Sequence, residues 1–525
     1  MKTGWLSLIV TFTLAGQVTY DRLRQADSEP GNWLSYSGNY SSHRYSRLSQ
    51  ITAGNVKRLK PVWIYQTAPG KVETTPLVID GVMYITEPPS NVTALDTRTG
   101  RPLWKYQRTV PKDLRICCGQ VNRGVAALDD LVWVGTIDAH LIALDAKTGQ
   151  VRWDTVVADY KTGNSLTAAP LAVKDKIIIG MAGGEFGVRG FVDAYEAATG
   201  KRAWRFWTVP VAGERGSETW AGESWKTGSA TTWVTGSYDP AQNLVLWGTG
   251  NPGPDWNEEV RGGDNLYSDC LLALDADTGE LKWHFQFTPH DGHDWDSTEV
   301  PVLIDGVVRG ENRKLILFAN RNGFYYTLDR QSGKFLAGRQ LVRQTWAKGL
   351  DDDGRPVRIP NMYPSVEGKL VYPSVPGATN WFSPSYSART GLFYVAVREE
   401  GGVYYMGDAD YKPGVIFNGG GFRGVPGEEP WGAIRALKPG TGEVEWEFKL
   451  HSPPWAGVLS TAGGLVFGGT NEGDFFALDG ASGKSLWRFQ AGGAVTSNPI
   501  SYLSEGKQHV AIAAGNAILV FALTD

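Results

Sequence analysis

An all-β chain built from repeated four-stranded units is predicted by three observations. One phrase recurs: ALDTRTGRPLW at 94–104, ALDAKTGQVRW at 143–153, AYEAATGKRAW at 194–204, ALDADTGELKW at 273–283, TLDRQSGKFLA from 327, ALKPGTGEVEW from 436 and ALDGASGKSLW from 477. Each copy reads as a strand ending near Ala-Leu-Asp, a tight turn at the Gly, and a second strand opening toward a Trp, which is hairpin chemistry. Most copies are preceded by another alternating run with its own Gly, such as VWVGTID or LVFGGTNEG, giving about four strands per unit. A content of 65 Gly and 28 Pro suits a protein made of turns. Seven copies, plus the segment YSARTGLFYVAV at 386–397, predict an eight-bladed β-propeller with Trp-ended blade repeats.

The spacing between copies is irregular (49, 51, 79, 54, 109 and 41 residues), so some blades carry insertions, and 386–397 supplies the strands missing from the longest gap. The terminal tryptophans Trp104, Trp153, Trp204, Trp283, Trp446 and Trp487 are read as packing between neighbouring blades. Closure of the ring is expected to pair a strand near the N-terminus with the C-terminal run HVAIAAGNAILVFAL, because a closed ring leaves no exposed sheet edge.

Composition excludes several function classes. Lys plus Arg number 51 against 55 Asp plus Glu, a formal charge of −4 without a long basic run, so nucleic acid is not an expected partner. The seven histidines are scattered, and HExxH, GxSxG and glycine-rich phosphate loops are absent from the sequence. Without CxxC or CxxCH, neither a thiolate zinc site nor a covalently attached haem c is encoded. Near the start, Lys2 precedes the apolar run WLSLIVTFTLA, too short to span a bilayer. Residues 1–17 are read as a secretory signal, with an uncleaved anchor as the alternative, and 18–525 as the propeller domain. No later segment offers 18 consecutive apolar residues, so a stable membrane span is not expected.

Four strings fall outside the repeats: ICCGQVNRG at 116–124, GGEFGVRG at 183–190, GTGNPGP at 248–254 and TPHDGHDWDST at 288–298. The adjacent Cys117 and Cys118 are either an oxidised pair, which fits an exported protein, or two reduced buried thiols. The third cysteine, Cys270, lies just before a repeat and reads as an inert core thiol.

Taken together and in order, these strings resemble the quinoprotein alcohol dehydrogenases, eight-bladed propellers that bind pyrroloquinoline quinone (PQQ), over nearly the whole chain. The resemblance implies that Cys117 and Cys118 form a vicinal disulfide lying on one face of the quinone, with Trp233 stacked on the other. It further implies that Arg123 and Arg321 serve the carboxylates and carbonyls of PQQ, and that Glu73, Thr167, Gly183, Gly184, Thr231, Asn380 and Trp455 lie around its rim. By the same resemblance Glu185, Asn251 and Asp294 hold one metal ion through oxygen, and Asp294 is also the general base that takes the alcohol's hydroxyl proton.

Asp296, two residues after Asp294, matches the acid of the lanthanide-using members, where calcium-using members carry a neutral residue. Glu185, Asp294 and Asp296 supply three negative charges, which suits a trivalent ion. A lanthanide is therefore favoured and Ca²⁺ is the alternative; an exposed Asp296 turned away from the metal would remove the distinction. The implied activity is periplasmic oxidation of primary alcohols, with methanol and aldehydes also in range, and the implied electron acceptor is a soluble cytochrome c. The oligomeric state is open, a homodimer among the options. A non-catalytic propeller scaffold of envelope assembly is the competing reading; it has no use for Cys117-Cys118, Asn251 or TPHDGHDWD.

Overall fold

The structure is a computed structural model, and it describes residues 18–524; the segment read as a signal, 1–17, lies outside the described residues. Strands dominate it, with a single five-residue α-helix, Tyr20–Arg24, among the described residues. Eight sheets of four or five strands follow one another along the chain, accompanied by one three-stranded and one two-stranded sheet. A typical unit runs Leu77–Ile79, Val82–Glu87, Asn91–Asp96 and Pro102–Tyr106, each strand antiparallel to the one before it. The segment 386–397 supplies Ser385–Ser387 and Leu392–Glu399 of another such sheet, as expected. The two small sheets use strands from the long interval between the copies at 327 and 436.

The burial of each strand follows its place in the sheet. The second and third strands of a sheet are buried over most of their length, as in Ile177, Ile178 and Ile179, all fully buried. Last strands alternate between solvent and sheet, as in Val151–Val156. The N-terminal strand Leu59–Gln66 pairs antiparallel with the C-terminal strand Ala517–Leu523, from Leu59 opposite Leu523 to Gln66 opposite Ala517. That is the closure read from the sequence.

The repeat tryptophans join consecutive sheets in one way. Trp104 Nε1 donates to the Ala146 carbonyl at 3.0 Å, Trp153 to Ala197 at 3.0 Å, Trp204 to Ala276 at 3.1 Å and Trp446 to Gly480 at 3.0 Å. Each indole also covers the repeat glycine of the next sheet: a Cβ on Gly149, Gly279 or Gly483 would lie 2.5–2.6 Å from ring carbons of Trp104, Trp204 or Trp446. Trp487 donates to the Leu59 carbonyl at 3.1 Å, and Trp63 donates to Thr97 at 2.9 Å, so the same contact crosses the joint between the chain ends. Trp283 packs on Gly333, but its Nε1 has no partner. The copy at 327 lacks a Trp, and Tyr325 takes its place, its hydroxyl donating to Pro439 at 2.8 Å and its ring covering Gly442.

These glycines have φ near +70°, so alanine is strained there even without a neighbour. Gly483 and Gly391 separate the two effects: their φ values are +70° and +69°, but only Gly483 faces an indole. Gly483→Ala is expected to cost roughly 1–3 kcal/mol more than Gly391→Ala, read from denaturant midpoints. Equal costs would show that the indole contact does not constrain the glycine.

Candidate active site

In an antiparallel hairpin, the entry to the first strand and the exit from the second lie at the same end. Glu73, Arg123, Thr167, Trp233, Asp294 and Asn380 precede first strands of their sheets; Glu185, Asn251 and Arg321 follow second strands. Residues far apart in sequence are thereby gathered at one end, where they surround a cavity of about 220 Å³. All the residues singled out from sequence line it: Glu73, Cys117, Cys118, Arg123, Thr167, Gly183, Gly184, Glu185, Thr231, Trp233, Asn251, Asp294, Asp296, Arg321, Asn380 and Trp455.

Cys117 and Cys118 are joined by a disulfide, and Cys118 Sγ lies 3.6 Å from Glu185 Oε1. Glu185 sits on a short turn, Gly184–Phe186, entered through Gly183 at φ +116°, where a Cβ would meet the Gly163 carbonyl oxygen at 2.2 Å. The polar wall falls into two networks. In the first, buried Glu73 receives Lys71 at 2.6 Å, Arg123 at 2.8 Å and Trp455 Nε1 at 3.2 Å. Arg123 also donates to Thr167 Oγ1 at 3.0 Å and lies 4.8 Å from the ring centres of both Trp233 and Trp381.

In the second network Arg321 pairs with Asp296, lies 3.6 Å from Asp294 and donates to the Val375 carbonyl at 2.6 Å. Asp296 accepts the Asn251 backbone N–H at 3.0 Å, and the Asn251 side chain donates to Asp255 at 2.8 Å. Asp296 is 5% exposed, so it is not the solvent-facing loop acid that was the alternative reading. Gly250 makes room for it: a Cβ there would lie 2.3 Å from Asp296 Oδ1. Asp294 occupies the left-handed region at φ +62°, which costs a non-glycine residue on the order of 1 kcal/mol and presents its carboxylate to the cavity.

Burial pushes Asp294 well above the usual carboxylate range; Arg321 opposes the rise, while Asp255, Asp296 and Glu185 add to it. Burial likewise raises Glu185, Asp255 and Asp296, with the neighbouring acids contributing. Asp296 and Asp294 in turn hold Arg321 above its ordinary value against the lowering effect of burial. Buried carboxylates thus crowd beside one guanidinium, an arrangement whose charged form a bound cation would stabilise. The donors are oxygens, so the set fits a hard cation. The sulfurs of Cys117 and Cys118 and a carboxylate oxygen of Glu185 form a group within 4.8 Å, but the two sulfurs are bonded to each other and offer no thiolate to a metal. Asp294 and Asp296 are not part of it; both are turned to Arg321.

Lys71, Trp381 and Asp255 are among the site residues that escaped the sequence reading. Lys71 lies two positions before Glu73 on an extended segment, and Trp381 follows Asn380 directly; both line the cavity. Asp255, four residues after Asn251, is 2% exposed behind the wall. His290 and His293 do not line the cavity: His290 Nδ1 pairs with the Gly263 carbonyl at 2.7 Å, and His293 stacks on Trp295 at 4.2 Å with Nε2 paired to the Met362 carbonyl at 2.8 Å. Cys270 is buried in the strand Cys270–Asp275.

Comparison with known proteins places the chain. The PQQ family model, "Glucose/ethanol/alcohol dehydrogenase, beta-propeller domain", matches residues 33–341 and 427–510. The quinoprotein alcohol dehydrogenase PedH of Pseudomonas putida is 41% identical over 95% of this chain and 88% of its own length. Among solved structures, the quinohemoprotein alcohol dehydrogenase ADHIIG of Pseudomonas putida HK5 superposes with a TM-score of 0.92 at 36% identity, covering 97% of this chain and 83% of that one. A europium-containing methanol dehydrogenase superposes with a TM-score of 0.90 at 34% identity, covering 96% and 100%.

The fold is therefore the β-propeller of the PQQ dehydrogenases. The chain belongs to the quinoprotein alcohol dehydrogenase family and is a PQQ-dependent alcohol dehydrogenase; the scaffold reading is not favoured.

Proposed function

We propose that the chain oxidises primary alcohols in this cavity with PQQ held between the Cys117–Cys118 disulfide and Trp233, and passes the electrons to a soluble cytochrome c. The observation that carries this reading is the meeting of the sequence-selected residues, drawn from across the chain, around one cavity. The eight larger sheets are taken as eight blades, residues 18–525 as one PQQ-binding domain and 1–17 as the signal that exports it to the periplasm. Among the described residues, no helix is long and apolar enough to cross a membrane.

PQQ, when bound, supplies a two-electron acceptor whose ring carbonyl a neighbouring metal ion polarises. Arg123, Thr167, Glu73 and Trp455 form a hydrogen-bonded rim suited to its polar edge, with Thr231, Asn380, Gly183 and Gly184 completing the wall. Glu185, Asn251, Asp294 and Asp296 would hold the metal. Asp294 takes the hydroxyl proton of the alcohol, and Arg321, 3.6 Å away, keeps that carboxylate turned into the cavity.

The metal is assigned as a lanthanide because Asp296 is a second buried acid beside Asp294 and because a related solved enzyme contains europium. One observation favours calcium instead. Arg321 already pairs with Asp296 and lies 3.6 Å from Asp294, so part of the acids' charge is balanced before any metal binds.

Asp294→Asn should lower kcat by roughly 100-fold to 10,000-fold while leaving alcohol KM within a few fold, measured in a dye-linked assay on PQQ-reconstituted protein. Near wild-type turnover would remove Asp294 as the base. Apo-protein given PQQ with lanthanum or calcium separately should regain activity with lanthanum, and Asp296→Ala should lose that response. Full activity with calcium and none with lanthanum would overturn the lanthanide assignment.

A further inference from the structure

Asp255 is a buried acid that the catalytic reading leaves without a task. It follows Asn251 by four residues, and both side chains are more than nine-tenths buried, at 2% and 6% exposure. Asn251 Nδ2 donates to Asp255 Oδ1 at 2.8 Å and lies 3.3 Å from the Pro252 carbonyl. The Asn251 backbone N–H is committed as well, to Asp296 Oδ1 at 3.0 Å.

A primary amide has two ends of nearly equal size, and only one of them can bind a cation. In the structure the amide nitrogen is the end that faces Asp255, donating to Oδ1 at 2.8 Å. The amide oxygen is thereby sent to the opposite side. Asn251 lines the cavity, and no hydrogen bond from a described residue reaches its Oδ1. Had residue 255 been Asn or Ser, either end of the Asn251 amide could have been satisfied, and the oxygen could turn away from the cavity.

We infer that Asp255 is a positioning residue for the metal: it locks the Asn251 amide with its oxygen toward the cavity. This inference rests on the metal reading given above. Groups that orient a metal ligand in this way change metal affinity by about 10-fold to 100-fold when removed.

The test uses the full chain reconstituted with PQQ, with europium(III) affinity measured by luminescence in competition with a chelator and calcium affinity measured in parallel. Asp255→Asn should weaken europium binding, and calcium binding likewise, by about 10-fold to 100-fold, with the thermal midpoint kept near wild type. In the double variant Asn251→Asp/Asp255→Asn the hydrogen bond is restored with its roles exchanged, because a carboxylate presents an oxygen in either orientation. It should recover most of the lost affinity. If Asp255→Asn does not fold, the double variant decides alone: europium affinity near wild type supports the role and its loss overturns it. Wild-type affinity in Asp255→Asn, alongside weakened binding in Glu185→Gln, would overturn the role of Asp255 and leave the metal site standing. Absence of europium and calcium binding by the unaltered protein would overturn the metal reading and this inference with it.

Discussion

The structure turns on a set of carboxylates gathered around one guanidinium. Glu185, Asp255, Asp294 and Asp296 stand at the wall of the cavity or just behind it, and Arg321 is the cation that Asp294 and Asp296 share. Carboxylates removed from water and crowded together are costly unless something positive joins them. Arg321 meets part of that need through Asp296 and Asp294, and an oxygen-ligated cation would meet the rest. The neighbouring elements serve that arrangement: Gly250 vacates space for Asp296, Gly183 allows the turn that carries Glu185, and Asp294 accepts a strained backbone.

Such a cluster needs a rigid frame, because no single sheet contains it. The contacts between successive sheets provide one: an indole, or Tyr325 in one unit, covers the turn glycine of the next sheet, and most of them also donate to a carbonyl there. Trp63 and Trp487 carry the contact across the joint between the chain ends, beside the pairing of Leu59–Gln66 with Ala517–Leu523. Loops at one end are then held at fixed distances, which is how Glu73 meets Trp455 across 382 positions of sequence.

The repeat units were legible in the sequence because hairpin turns are local: Asp, Thr and Gly at fixed offsets specify a turn whatever surrounds it. Closure was legible too, since an apolar C-terminal strand needs a partner. The substitution of Tyr325 for an indole was not legible, because the copy at 327 places its aromatic residue before the turn instead of after it. Of the cavity residues, those in strings that broke the repeat stood out. Lys71 and Trp381 did not, one resembling a surface lysine and the other a core indole. Asp255 lies in GPDWNEE, which reads as a solvated acidic loop. Its burial arises from tertiary packing: the Trp256 N–H donates to the Asn418 carbonyl at 2.9 Å, and a Cβ on Gly419 would lie 3.0 Å from Pro254. That Asp294 and Asp296 lean on Arg321 also depends on side-chain geometry that sequence order does not encode.

Diffraction from crystals of the protein loaded with PQQ and europium, recorded at the europium absorption edge, tests the account most directly. The expected map has one anomalous peak within bonding distance of Glu185, Asn251 Oδ1, Asp294 and Asp296, with the planar quinone between the Cys117–Cys118 disulfide and Trp233. A peak away from these residues, or a quinone bound outside that gap, would contradict it.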